Sequence, residues 1–150
     1  MPQSLSKMNV HIIFSTKNRD AMLTQEIQPD LYRYIGGICN NLECPPVQIG
    51  GFTDHLHILC VFSRKIALMN LVKEIKVGSS VWIKNLGSRY SNFHWQDGYG
   101  CFSVSPNETG PVINYIQQQT THHQKRTYQE EYRDFLKTYD VTYDERYVWD

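Results

Sequence analysis

The chain has 150 residues, 41% hydrophobic and 13% aromatic, and its 15 basic and 15 acidic side chains give a formal net charge of zero. That length suits one core, so residues 1–150 are read as a single domain, and neutrality excludes a generally basic nucleic-acid coat. No run reaches the roughly 20 apolar residues of a membrane span, and the opening "MPQSLSKMNVHIIF" lacks an apolar signal segment, so the expectation is a cytoplasmic protein with no membrane partner.

In chain order, "KMNVHIIFST" (7–16) mixes β-branched and aromatic residues and predicts a strand, closed by the turn formers of "KNRD". Between Glu26 and Leu42 the apolar positions Ile27, Leu31, Tyr34, Ile35, Ile38 and Leu42 recur at three and four, the helical period. "VQIGGFT" and "HLHILCVF" are two strand-like runs around the turn formers Thr53 and Asp54, and so predict a hairpin. A second helix is predicted over Ala67–Leu86, with Leu68, Leu71, Ile75, Trp82 and Leu86 as its core stripe and Gly78 as a weak point. "GCFSVSP" reads as a last strand. "GPVINYIQQQTTHHQ" reads as a third helix, with Pro111 at a first-turn position where its missing N–H costs little. A further helical segment, "YQEEYRDFLKTY", precedes an aromatic, acidic end.

The order β-α-β-β-α-β-α is the α+β split β-α-β, ferredoxin-like (RRM-like) arrangement: a four-stranded antiparallel sheet with helices on one face, plus a C-terminal helix that carries Tyr115. Cys39, Cys44, Cys60 and Cys101 form no CxxC pair and read as buried free thiols.

Charge is uneven along the chain. From Arg64 to Arg89 six basic residues (Arg64, Lys65, Lys73, Lys76, Lys84, Arg89) face the single acid Glu74. Lys73, Lys76 and Lys84 fall on the side of the second helix opposite its stripe, where they would follow a phosphate backbone; Arg64 and Lys65 extend the patch. Phe93, Trp95 and Tyr99 are candidates for stacking on unpaired bases, or for the core.

On a strand, residues two apart share a face, so His55 and His57 point one way while Leu56, Ile58 and Cys60 point the other. Two imidazoles on a rigid strand are half of a divalent-metal site, although a His-x-His pair alone is no more than that. Tyr115 and Gln119, four apart on the third helix, share a face. Taken singly, Tyr115 is more often a packing aromatic and Gln119 more often part of a solvated helix surface. A phenol that attacks phosphorus and an amide oxygen that ligates a metal would share one site if that helix approached the histidine face.

The segments "VHIIFSTKNR", "DHLHIL", "LVKEIKVGSS", "FHWQDGYGCFSVS", "VINYIQQQ" and "HHQKRTYQEEYRDFL", in this order, resemble the small HUH transposases with a single catalytic tyrosine, found in the simplest bacterial insertion sequences, and their REP-associated relatives. The resemblance implies His55, His57 and Gln119 as ligands of Mg²⁺ or Mn²⁺ and Tyr115 as the nucleophile. It implies single-stranded DNA, with hairpins at the element ends, as substrate, cut and rejoined through a 5′-phosphotyrosine. It also implies a homodimer with composite sites, in which His55 and His57 of one chain meet Tyr115 of the other. His122 and His123 match the segment after the tyrosine helix and read as structural or DNA-facing. The competing reading is a binding module of the same fold, either an RNA-recognition domain or a host-retained or inactive hairpin-DNA binder. An RNA-recognition domain would place aromatics where this strand carries His55 and His57.

Overall fold

β1 (Met8–Ser15) and β3 (His55–Phe62) form the paired centre of an antiparallel sheet of order β2-β3-β1-β4, in a computed structural model that describes residues 2–150. β2 (Pro46–Gly51) and β4 (Gly100–Val104) are the edges. Strand alternation sorts the side chains as the sequence predicts. Val10, Ile12 and Phe14 of β1 pair in register with Cys60, Ile58 and Leu56 of β3 and are buried beneath α1 (Gln28–Asn41) and α2 (Leu68–Lys84), whose contributions include Leu31, Ile35, Leu71 and Ile75. Fully burying each such side chain contributes about 1.5–3 kcal/mol, which makes this face the main source of cohesion.

The opposite face is covered as well. Leu59 and Val104 pack against Ile116 of α3 (Thr109–Gln117), while Ile13 and Phe102 pack against Tyr128, Tyr132 and Leu136 of α5 (Tyr128–Thr138). The expected helix-coated face is therefore present, and the tyrosine helix takes the other face of its own sheet. His11, Ile13, His55, His57 and Leu59 lie beneath it, all of them buried.

Gly50 sets how closely α3 approaches. A Cβ there would lie 2.7 Å from Ile116 Cγ2 and 2.8 Å from the Ile116 carbonyl oxygen, closer than either atom tolerates. Gly50→Ala is expected to destabilise the fold by about 1–3 kcal/mol through this overpacking. It should also push Tyr115, the neighbour of Ile116, out of register with the sheet. Thermal unfolding measures the first effect, and the position of the Tyr115 ring relative to His57 in a structure of the variant measures the second.

Several expectations need correction. The third helix is broken. Gln118 (φ −101°, ψ 21°) separates α3 from the short α4 (Gln119–His122), and its N–H is shared between the carbonyls of Asn114 and Tyr115. On α2 the inward stripe is Leu71, Val72, Ile75, Ser79 and Ile83; Trp82 is half-buried and Leu86 exposed. Ser79 belongs there because its hydroxyl donates to the Ile75 carbonyl (2.6 Å) and accepts from the Trp95 indole N–H (3.0 Å). Phe93 and Trp95 are core residues that stack edge to face, so neither offers a ring to a base; Tyr99 is half-buried.

The basic patch is also smaller than its sequence suggests. The Lys76 ammonium donates to the carbonyls of Gln96 (2.7 Å), Asp97 (3.0 Å) and Gly98 (2.7 Å), which tie it to the 96–98 loop instead of leaving it to a phosphate. Lys65 pairs with Glu43, and Arg64 donates to the Ser4 carbonyl. Lys73 is exposed and Lys84 half-exposed, while Met69, Val77 and Val81 bring apolar surface to the same outer side. The cations of α2 sit across the sheet from the histidine pair. The four cysteines are free, with Cys39, Cys44 and Cys60 buried, as read. Among the described residues no helix is long and apolar enough to cross a membrane.

Candidate active site

The site is built on the β3 face that carries His55 and His57, both fully buried. Each ring is held from behind. Asp54 Oδ1 lies 2.7 Å from His55 Nδ1, and since a carboxylate only accepts, Nδ1 carries the hydrogen and Nε2 keeps its lone pair. His57 Nδ1 lies 2.7 Å from Nε2 of His11, a β1 residue on the same face. Burial pushes the His11 imidazole well below its ordinary pKa, with neighbouring His57 adding to the effect, so this partner is neutral. A neutral ring can give or take the shared proton, which leaves His57 Nε2 able to serve as a lone pair.

Gln119, the first residue of α4, is buried, whereas Gln117 and Gln118 are exposed; the break at Gln118 thus selects one glutamine of three. Its amide N–H₂ donates to the Tyr115 carbonyl (3.3 Å), turning Oε1 toward His55 Nε2 at 2.9 Å. Tyr115 on α3 stands with its ring centroid 5.8 Å from that of His57, backed by the stacked ring of His122 at 4.7 Å. His55, His57, Tyr115 and Gln119 therefore meet within one chain. The composite site expected from two chains is not needed to bring them together.

Two further residues complete the cluster. Glu131 is fully buried and was not singled out in the sequence. Its Oε1 lies 2.9 Å from His57 Nε2 and 3.6 Å from His55 Nε2, and its Oε2 accepts from the Tyr115 hydroxyl. The local sequence explains its place. "TYQE" is a capping box in which the Thr127 hydroxyl accepts from the Glu130 N–H (3.2 Å), and this starts α5 so that Glu131 falls in its first turn. Glu131 also lies within the stripe Tyr128, Tyr132, Leu136, a carboxylate on an apolar face, and that was the available signal. His123, read as structural or DNA-facing, instead borders the site: its Nε2 is 3.0 Å from Gln119 Oε1 and 3.2 Å from Glu131 Oε2.

The electrostatics follow from these contacts. Burial disfavours the Glu131 anion, but its contacts with the His123 and His57 rings and the potential of the imidazoles outweigh it and hold the carboxyl well below the usual range. Burial pushes His57 below its ordinary value, with Glu131 opposing. Tyr115 is pushed up, first by burial and then by the Glu131 charge. The phenol is thus a poor anion in this state.

The donor set fits a divalent cation. His123 Nδ1 donates to the Arg126 carbonyl (2.9 Å), so its Nε2, like that of His55, is a lone pair. These lone pairs face Gln119 Oε1 and Glu131 Oε2, which are also lone pairs, with no hydrogen between them. A cation satisfies all of them at once without protonating either ring. His55, His57 and Glu131 each bring a ligand atom to within 4.8 Å of the others, with Gln119 beside them.

Residues 4–119 match the family described as transposase, IS200-like. No curated protein matches the chain at a significant level. Among solved structures, a Deinococcus radiodurans protein described as a transposase aligns with a TM-score of 0.62 at 20% identity, over 79% of this chain and 98% of that one. A REP-associated tyrosine transposase bound to a REP hairpin aligns with a TM-score of 0.60 at 13% identity, over 82% and 73%. At these identities the likeness is one of fold.

Proposed function

Because the chain belongs to the IS200-like transposase family, matched over residues 4–119, we propose that it cleaves and rejoins single-stranded DNA at the ends of an insertion sequence, with Tyr115 as nucleophile. One observation carries this reading: the Tyr115 hydroxyl, two imidazoles, the Gln119 amide oxygen and the Glu131 carboxylate converge on one protected spot. The Tyr115 oxygen bonds to phosphorus, and the 3′ oxygen of the leaving strand departs with the bonding pair. The product is a 5′-phosphotyrosine that keeps the ester's energy, so another 3′-hydroxyl reverses the step without ATP. Glu131, already accepting from the phenol, orients the hydroxyl beside the histidine pair. Asp54 and His11 hold the rings of His55 and His57 in orientation. When bound by His55, His57 and Gln119, with Glu131 beside them, Mg²⁺ or Mn²⁺ supplies a Lewis acid that draws charge from a non-bridging phosphate oxygen. Hairpin DNA enters as the substrate from the family and from the neighbour described as bound to a REP hairpin.

The test is a denaturing gel after incubation with single-stranded oligonucleotides that carry the flanking hairpin ends. A protein band shifted by covalent DNA, dependent on added Mg²⁺ or Mn²⁺, is expected. Hairpin binding without any adduct would leave only the binding-module reading.

The family resemblance also brings a homodimer with composite sites into this reading. Tyr115→Phe and His57→Ala subunits, each inactive alone, are mixed and allowed to re-associate. With all groups drawn from one chain, every site in a mixed dimer lacks one group, so no adduct is expected. Single-end cleavage reappearing in proven heterodimers would establish exchange of the tyrosine helix.

A further inference from the structure

The proposed chemistry gives the Tyr115 oxygen a partner of the wrong sign. Its hydrogen bond runs to the buried Glu131 carboxylate, and a phenolate formed there, as in the rejoining step, would sit against another anion. Among the described residues one cation reaches that oxygen. Arg126, in the connection between α4 and α5, donates from Nη2 to Tyr115 Oη at 3.3 Å.

Its neighbours fix it in place. Nη1 is paired with Asp134 one face along α5, and the Arg126 carbonyl accepts from His123 Nδ1 at 2.9 Å, which links the arginine backbone to the ring facing Gln119 and Glu131. The side chain is one-third exposed and stands at a cleft of about 410 Å³, with Phe52, Lys125 and Thr127 along its wall. A guanidinium has five N–H donors; two contacts are used here, and the rest suit a non-bridging phosphate oxygen. The basic residues of α2 lie across the sheet, whereas Lys125 and Arg126 bring positive charge to this cleft.

Resting on the function proposed above, we propose that Arg126 is a catalytic residue whose guanidinium holds the Tyr115 phenolic oxygen and neutralises the charge it carries as the tyrosine–phosphorus bond forms and breaks. In rejoining, the incoming 3′ oxygen bonds to phosphorus and loses its proton to water. The tyrosine oxygen leaves with the bonding pair, stabilised by Arg126, and is then reprotonated. This is electrostatic stabilisation aimed at a developing oxyanion.

The test uses the covalent adduct, accumulated over a long incubation, freed of unbound DNA and chased with an oligonucleotide bearing a 3′-hydroxyl. R126Q is expected to slow resealing by about 10²–10³-fold, the usual loss of one preorganised donor. R126K should recover part of the rate, and DNA affinity should change by no more than about threefold, as for the loss of one backbone contact. Replacing Tyr115 with a fluorinated tyrosine lowers the basicity of the leaving oxygen and should rescue R126Q more than the wild type, an effect that a merely structural role would not produce. Resealing by R126Q at the wild-type rate, or a slow rate that fluorination leaves unchanged, overturns the proposal. If the Gln variant does not fold, R126K carries the same comparison. Absence of any adduct with the wild-type protein would instead overturn the cleavage reading, and this proposal with it.

Discussion

Tyr115→Phe is expected to eliminate the covalent protein–DNA adduct and strand joining, a loss of at least about 10³-fold, because the variant lacks the one atom that bonds to phosphorus. The ring keeps its place between His57, His122 and Phe135, so the change in shape is one oxygen. Glu131 loses the phenol as the donor to Oε2 but keeps the His57 contact on Oε1, so the stability cost is about 1–3 kcal/mol. Hairpin affinity, measured by a gel shift, should persist alongside the lost cleavage. An adduct formed by the Phe variant would move the nucleophile to another tyrosine. Tyr128 and Tyr132 are the next tyrosines after it along the chain, but both are buried and stacked on each other, with the Tyr128 hydroxyl directed at Gln96. Of the three, only Tyr115 has its hydroxyl on Glu131, the carboxylate that faces both histidines.

What the sequence made legible here depended on local periodicity. The alternation of β3 placed His55 and His57 on one face because a strand has a period of two whatever it packs against, and the β-α-β-β-α-β order fixed the sheet topology. The period of a helix likewise identified Tyr115 and Gln119 as neighbours, though the chain reaches that result through a break at Gln118 and not through a continuous helix. What stayed hidden was set by docking between distant segments. Glu131 lies 74 residues from His57 along the chain, and only the packing of α5 on the back of the sheet joins them. His11 meets His57 through the β1–β3 register, and nothing within "VHIIF" marks it as different from a core position. Lys76 has the spacing of an exposed lysine, yet the 96–98 loop closes over it and captures its three N–H donors. Helical phase shows which way a side chain leaves its own element, and it does not show what folds over it.

Removal of the metal should abolish cleavage while leaving DNA binding largely intact, since affinity comes mainly from backbone phosphate contacts and the cation acts on the reacting phosphate. Excess EDTA is the cleaner arm. Adduct formation should fall by at least about 10³-fold and return with added Mg²⁺ or Mn²⁺, and full activity in EDTA would rule out the metal assignment. His57→Ala should show the same loss of cleavage but with a different cost to the fold. It strips a partner from both Glu131 Oε1 and His11 Nε2 in a buried setting, so about 2–4 kcal/mol of destabilisation is expected, and its activity has to be compared at a temperature where it remains folded. A third measurement separates metal binding from catalysis altogether. The lone pairs of His55, His123, Gln119 and Glu131 face one another without intervening hydrogens, so a bound cation relieves a conflict that exists in the folded state alone. Mn²⁺ at 100 times its dissociation constant should therefore stabilise the protein by about 2.7 kcal/mol with no DNA present. Glu131→Gln replaces the charged oxygen by an uncharged amide and should reduce that gain, whereas Lys73→Gln, across the sheet, should leave it unchanged. A melting temperature that does not move with Mn²⁺ would mean that the cluster satisfies itself by protonating its histidines, and the cation would then have to enter with the DNA.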